Sequence, residues 1–438
     1  MHLWNRLHDA LFVRVGPNGH EYGRDRIEPL LWRTSHHLIV GDSHERLLAV
    51  LAEFNRGGEA LIADPLKRAM LQRDLWLVFS WLEHSHDEFY GFPEPKGQWA
   101  ARRDALRQPL ARAIGSLALT PQQIAALPDT YAAAVASREF ADRFDPALPD
   151  RPYLPPDLFA DEGPWVSLGR GRELIAPNHV LADNPFTNSA FLVFIKLPGG
   201  RAATRRYVER LGAFTGPLFI RAAESPNPVS ETVNAATPQF PAGTEVALVR
   251  RALLVTSGFG IAVSPIVENV QVRVYRDVPA LPSDGKTISM MMDNRNFSAQ
   301  SASEFLLSRT RLFAGRSGGL RAVVDDEGDF LTGFSTQGMD PFERRPGDSP
   351  MLAPDRPERA RSRLIDRCNH CHVNPGVFSF NTVAMNFAVF GGGLSTTPAR
   401  GLSATPVSAV LASGAWWKGT RDDWALLQRL LRTANTGR

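Results

Sequence analysis

Along the first third of the chain, apolar positions recur at helical spacing behind recognisable start signals. After Asp64-Pro65, the side chains of Leu66, Met70, Leu71, Leu75, Val78, Phe79 and Leu82 fall on one broad face, and a proline at the first helical position is already set for helix. Asp42-Ser43 precedes Leu47, Leu48, Leu51 and Phe54 in the same manner, and Thr120-Pro121-Gln122-Gln123 has the spelling of a capping box. These signals predict a helical region over residues 1–145. The composition then changes: Pro149, Pro152, Pro155 and Pro156 are too dense for a helix, so residues 146–163 read as a semi-rigid connector.

From 164 to 334 the pattern shifts to strands. Phe191-Leu-Val-Phe-Ile195 is a continuous apolar run closed by Pro198-Gly199-Gly200, the mark of a buried strand, and a short helix is predicted over Ala202 to Leu211. Val246–Val255 and Val270–Tyr275 form a predicted antiparallel pair. In the second of these, Val270, Val272 and Val274 alternate with Gln271, Arg273 and Tyr275, which predicts one core face and one wet face. Phe305–Phe313 and Leu320–Val324 predict a further pair, joined through Gly315-Arg316-Ser317-Gly318-Gly319. The whole reads as a β-rich, sandwich-like domain with a helical insertion.

The glycine-rich joint has the G-x-S-x-G spelling of a nucleophile elbow, which requires a strand before the serine and a helix after it. Leu320-Arg-Ala-Val-Val324 predicts a strand instead, so a hairpin is the expectation. Asp325-Asp326-Glu327-Gly328-Asp329 lacks the spacing of a calcium loop and reads as a solvated turn. The pairs His36-His37 and His84/His86 stand one and two residues apart, spacings that do not put two side chains on one helical face for a metal.

A turn-rich connector, 335–354, leads into the last segment, 355–438. Asp355-Arg356-Pro357 starts a predicted helix carrying Ala360, Leu364 and Ile365, which runs up to Arg367-Cys368-Asn369-His370-Cys371-His372. Near the end, Thr420-Arg421-Asp422-Asp423 caps a helix with Trp424, Leu427, Leu430 and Leu431 on one face. The hexapeptide holds the chain's only two cysteines, with a histidine directly after the second. This C-x-x-C-H pattern is the attachment signature of c-type haem. Each thiol can add to one vinyl group while the adjacent imidazole reaches the iron. The competing chemistries are a disulfide, or a zinc site that also uses His370, although no third cysteine completes a familiar zinc set.

On these residues the last fifth of the chain resembles a small single-haem c-type cytochrome domain. The resemblance implies one covalent haem c per chain, bound by Cys368 and Cys371 with His372 as proximal ligand, and a final helix packed across the one that leads into the motif. In that family the sixth ligand is a methionine well downstream. Here Met385 is the only methionine after His372, and it stands unusually close to it. The alternatives are Met339 or Met351 upstream, or a five-coordinate iron, which would make the protein a haem enzyme or ligand sensor. Arg356, Arg359, Arg361, Arg363 and Arg367 are candidates for pairing propionates or steering an acidic redox partner, beside the plain reading of a charged helix face. Phe378, Phe380, Phe387 and Phe390 would set the dielectric around the iron.

Bulk composition changes this picture little. At 438 residues the chain is too long for one ordinary core, and the expected architecture is an α+β multi-domain protein. Its 49 basic residues nearly balance 46 acidic ones, which gives no argument for nucleic acid. No run has membrane-spanning length. The implied partner is a redox protein. Haem c is attached outside the cytoplasm, so a periplasmic or otherwise exported location is expected, with a leader that this sequence does not display.

Overall fold

The computed structural model describes residues 1–15, 21–25, 37–39, 41–84, 99–176, 188–217, 219–221, 231–278, 300–323, 376–379 and 401–436. Its elements are helices α1 (Leu3–Phe12), α2 (Asp42–Phe54), α3 (Pro65–His84), α4 (Ala100–Ser116), α5 (Pro121–Ala125) and α6 (Thr130–Ser137), with a ribbon of β1 (Arg14–Val15) and β2 (Glu21–Tyr22) near the start. Then follow β3 (Val166–Gly169), β4 (Ser189–Lys196), α7 (Gly200–Gly212), β5 (Phe219–Arg221), β6 (Glu231–Val233), β7 (Thr244–Val255) and β8 (Ile261–Tyr275). The last are β9 (Gln300–Leu307), α8 (Arg309–Phe313), β10 (Leu320–Ala322), β11 (Ser403–Ala404), α9 (Val407–Gly419) and α10 (Asp422–Thr436).

The predicted helix starts are met locally. Asp64 Oδ1 accepts the Leu66 N–H at 2.8 Å at the head of α3. At α5 the capping box closes in both directions: Thr120 Oγ1 accepts the Gln123 N–H at 3.1 Å, and Gln123 Oε1 accepts the Thr120 N–H at 2.9 Å. Burial of α3 goes beyond one apolar face. Every residue from Ala69 to Leu82 is buried, Gln72, Arg73, Asp74 and Ser80 included, because α1, α4, α10 and β7 surround the helix.

The fold is a mixture of helix and sheet around one antiparallel sheet of order β10-β9-β8-β7-β4-β3-β11. Among the described residues the remaining strands form only the β1–β2 and β5–β6 ribbons. The described strands therefore do not build the second facing sheet of a sandwich. Helices and packed loops cover the sheet instead. The predicted β7–β8 pair is present and regular from Val249↔Val270 to Thr244↔Tyr275, with a bulge near Arg251 that bends the longer strands.

Two expectations for the strands need correction. The polar side of β8 is not wet: Gln271 and Arg273 are 8% and 5% exposed. Gln271 donates to Glu304 Oε1 at 3.2 Å and Arg273 to Gln300 Oε1 at 3.2 Å across the pair with β9, so cross-strand hydrogen bonds permit polar side chains at buried positions. In addition, residues 309–313 are helical rather than extended, since Ser308 Oγ accepts the Arg311 N–H at 3.1 Å and caps a turn of helix.

Strands β9 and β10 still pair antiparallel, with Leu307 opposite Leu320. Ser317 sits between a helix and a strand, the reverse of an elbow, and its hydroxyl donates to Glu139. At Gly318 a Cβ would stand 2.0 Å from the carbonyl oxygen of Thr130, so the glycine serves close packing of this turn on α6.

Two buried clusters result. The larger joins the sheet to α5–α7 and to residues 153–158, so Tyr153, Leu154 and Leu158 of the proline-rich stretch pack into the core. The smaller joins α1–α4 and α10 to Ala190, Leu253 and Val255 of the sheet. Trp424, Leu427 and Leu431 of α10 lie in it as their spacing predicts, with Trp424 5.5 Å from Trp76. Strand β11 continues the sheet beside β3, and α9 lies on β4. No helix among the described residues is long and apolar enough to cross a membrane.

Candidate functional site

Cys368, Cys371, His372 and Met385 lie outside the described residues, as do Met339, Met351, the five arginines ahead of the motif and the acidic cluster at 325–329. Phe378 alone of the four phenylalanines is described. The chain returns to description four residues past His372, at Gly376–Ser379, and there it is deeply packed.

Val377, Phe378 and Ser379 are fully buried, and the first two join the larger core cluster. The side-chain oxygen of Gln239 accepts the Val377 N–H at 2.7 Å and the Phe240 N–H at 3.1 Å. Gly376 has φ +55°, and a Cβ there would stand 2.3 Å from Gln239 Oε1. The positive φ strains any residue but glycine, and an added Cβ would push the end of the Gln239 side chain away. The Tyr275 hydroxyl, at the end of β8, lies 3.0 Å from Ser379 Oγ. Burial pushes the Tyr275 phenol above its ordinary pKa, so it is a neutral hydrogen-bonding group at physiological pH. Phe240 stands between Tyr275, at 4.9 Å between ring centres, and Tyr207 of α7, at 5.9 Å.

Side chains alternate along a strand, so Tyr275 shares its face of β8 with Arg273 and Gln271. That face is the buried polar one. The segment following the motif thus meets the sheet at the end of a row of charged and amide side chains, on the opposite side from Val270, Val272 and Val274.

A second polar centre, which sequence reading did not find, joins the helices to the sheet. Arg73 of α3 donates to Glu268 of β8, and its Nη1 lies 3.2 Å from Asp74 Oδ1. The Ser189 hydroxyl donates to the other Glu268 oxygen. Asp74 Oδ2 lies 3.8 Å from His8 Nδ1 and 3.6 Å from Arg309 Nη1, and the Arg309 guanidinium stacks 3.6 Å over the ring centre of Trp4. Burial pulls Arg309 down to about 10, against the pull of Asp74, Asp9 and Asp25, and it stays a cation near neutrality. The signal available in the sequence was Arg73-Asp74 in the middle of an apolar helical run. This network mixes two arginines with its carboxylates, which suits a structural ion cluster better than a cation site.

Among the described residues no group of three or more His, Cys, Asp or Glu side chains is placed to hold a metal ion. A hollow between β3, β4 and α9, lined by Arg170, Ser189, Phe191, Ser413 and Trp417 among others, measures about 20 Å³. That is the room of about one water molecule. Compared with protein-family models, with curated proteins and with solved structures, the chain has no match in any of the three.

Proposed function

We propose that this is a covalent c-type haem protein that passes single electrons to or from a redox partner outside the cytoplasm. The observation that carries the reading is the sequence Cys368-Asn369-His370-Cys371-His372, which commits both cysteines of a 438-residue chain to one haem-attachment spacing. The donor set fits: two thiols for the vinyl groups and one imidazole for the iron. When bound, the haem supplies reversible one-electron chemistry.

The remaining roles belong to the chain. Cys368 and Cys371 would hold the porphyrin and His372 the iron, with Met385, the one methionine after His372, as the candidate further ligand. The segment 355–438 is read as cytochrome c-like around this motif. Residues span at most about 3.6 Å each, so the Cα atoms of His372 and Gly376 are no more than about 14 Å apart. The burial of Val377 and Phe378 therefore gives the motif a firmly packed neighbour.

The test is a visible spectrum of the full chain, expressed with an export leader and haem-maturation machinery, followed by acid-acetone extraction and a pyridine haemochrome assay. Haem that resists extraction, one per chain, is the expected result. A folded, exported and colourless protein sinks the proposal, and metal analysis with a thiol count then separates zinc from disulfide. A high-spin spectrum that shifts with carbon monoxide in the reduced state would place the protein among haem enzymes or sensors.

A further inference from the structure

We infer that Gln239 and Tyr275 are positioning residues for the haem motif, pinning the backbone that leaves His372 to the end of the sheet and so fixing how the haem is presented. This rests on the haem reading above. Its structural basis is the density of constraint on four consecutive residues. Gln239 takes the Val377 N–H at 2.7 Å, Tyr275 and Ser379 share a buried hydroxyl pair at 3.0 Å, and Val377 and Phe378 are completely enclosed.

Gly376 lets the backbone take φ +55° and approach the Gln239 amide, where an added Cβ would displace that amide. The constraints come from separate stretches of chain, the loop before β7 and the end of β8, so the contact is tertiary and not a local turn. A haem held at Cys368, Cys371 and His372 takes its orientation from the backbone that carries those residues. With four residues between the ligand and the clamp, Val377 lies only a short length of chain from His372. Removing the clamp should therefore change the haem's surroundings without touching any atom that binds it.

The experiment uses the full exported, haem-matured chain and the variants Gln239→Ala, Gln239→Glu, Gly376→Ala and Tyr275→Phe. Tyr131→Phe serves as control, since that hydroxyl bonds the Pro155 carbonyl instead. Haem content, the Soret circular dichroism and the midpoint potential are measured together with amide exchange at Val377–Ser379. Haem content is expected to stay at one per chain. Exchange at Val377 should rise about fivefold in Gln239→Ala, the consequence of one lost hydrogen bond.

The Soret dichroism and the midpoint potential should move in Gln239→Ala, Gly376→Ala and Tyr275→Phe. Both should return toward wild type in Gln239→Glu, which keeps the acceptor oxygen, and stay put in the control. Tyr275→Phe removes a single hydroxyl and keeps the ring, so it remains informative if the other variants fail to fold. A haem-loaded wild type whose variants exchange faster but keep the wild-type dichroism and potential overturns the positioning role alone. A colourless wild type overturns the haem reading, and the positioning role with it.

Discussion

Gln72, in the middle of α3, pairs with both backbone groups of Val255 at the end of β7. Its amide nitrogen donates to the Val255 carbonyl at 2.9 Å and its oxygen accepts the Val255 N–H at 3.0 Å. A side-chain amide thus does what a neighbouring strand would do, where the strand runs out. The same nitrogen also reaches the Ile114 carbonyl at 3.2 Å, which ties α4 into the joint.

Replacement Gln72→Leu keeps most of the volume and leaves these backbone groups without their partner. A buried polar group left unsatisfied costs about 1–3 kcal/mol, so a loss of roughly 2–4 kcal/mol is expected for the joint. Urea unfolding of wild type and variant measures it. An unchanged midpoint would show that this seam between helix and sheet contributes nothing to stability.

Lys418 and Asp423 make the same point with charge. Their side chains are 1% and 0% exposed and meet at 2.6 Å, with Lys418 Nζ also 3.2 Å from Ser80 Oγ of α3. Burial pushes the Lys418 ammonium below its ordinary pKa while Asp423 holds it up. Asp423→Ala strands that ammonium in the interior and should cost about 3–5 kcal/mol, whereas the double change Lys418→Met with Asp423→Leu should recover most of the loss. A double variant as unstable as the single one would count against a desolvation cost as the cause.

How much of this was legible beforehand depended on whether the signal was local. The capping box at Thr120, the start of α3 at Pro65, the strand patterns of β7 and β8 and the apolar face of α10 were all readable, because each signal lies in residues a few positions apart. The burial of Gln271 and Arg273 was not readable: their alternation with valines says which side they take, and only the partners Glu304 and Gln300 make that side habitable. The link from Arg73 and Asp74 to Glu268 was hidden for the same reason, since Arg73 and Glu268 are 195 residues apart in sequence. The motif at 368–372 is the opposite case. The haem reading proposed for it rests on five consecutive residues that lie outside the described ones, and the described fold resumes with the packed segment that begins at Gly376.

Asp25 illustrates a cap supplied from far away. Its Oδ1 accepts the Thr310 N–H and the Ser308 hydroxyl, both at 2.8 Å, at the head of α8. Burial works to raise its pKa, and those hydrogen bonds together with Arg321 outweigh it, so the net direction is downward. A carboxylate lowered in the folded state adds stability above its ordinary pKa, and that stability is lost as pH falls through the lower folded value. Asp25→Ala should therefore cost about 1–2 kcal/mol at pH 7. The gap between variant and wild type should narrow below about pH 4. Chemical unfolding at the two pH values checks both parts, and a gap that stays constant would assign the effect to packing.

His37 supplies a second pH dependence, nearer neutrality than that of Asp25. Burial lowers its pKa to about 3, with Arg14 and Arg46 acting in the same direction. An unfolded chain binds this proton near pH 6.5, the usual value for histidine. Above that pH the ring is neutral in both states and adds no pH dependence. Between the two values only the unfolded chain is protonated, so stability falls as pH falls, by at most about 1.4 kcal/mol per pH unit. Below the folded value both states carry the proton and the loss is complete. Urea unfolding from pH 7.5 down to 4 should show this slope in the wild type, and His37→Gln should flatten it, since the other histidines are common to both proteins. Parallel curves for the two would mean that His37 titrates alike in the folded and unfolded chains, and that the acid sensitivity of the fold has another source.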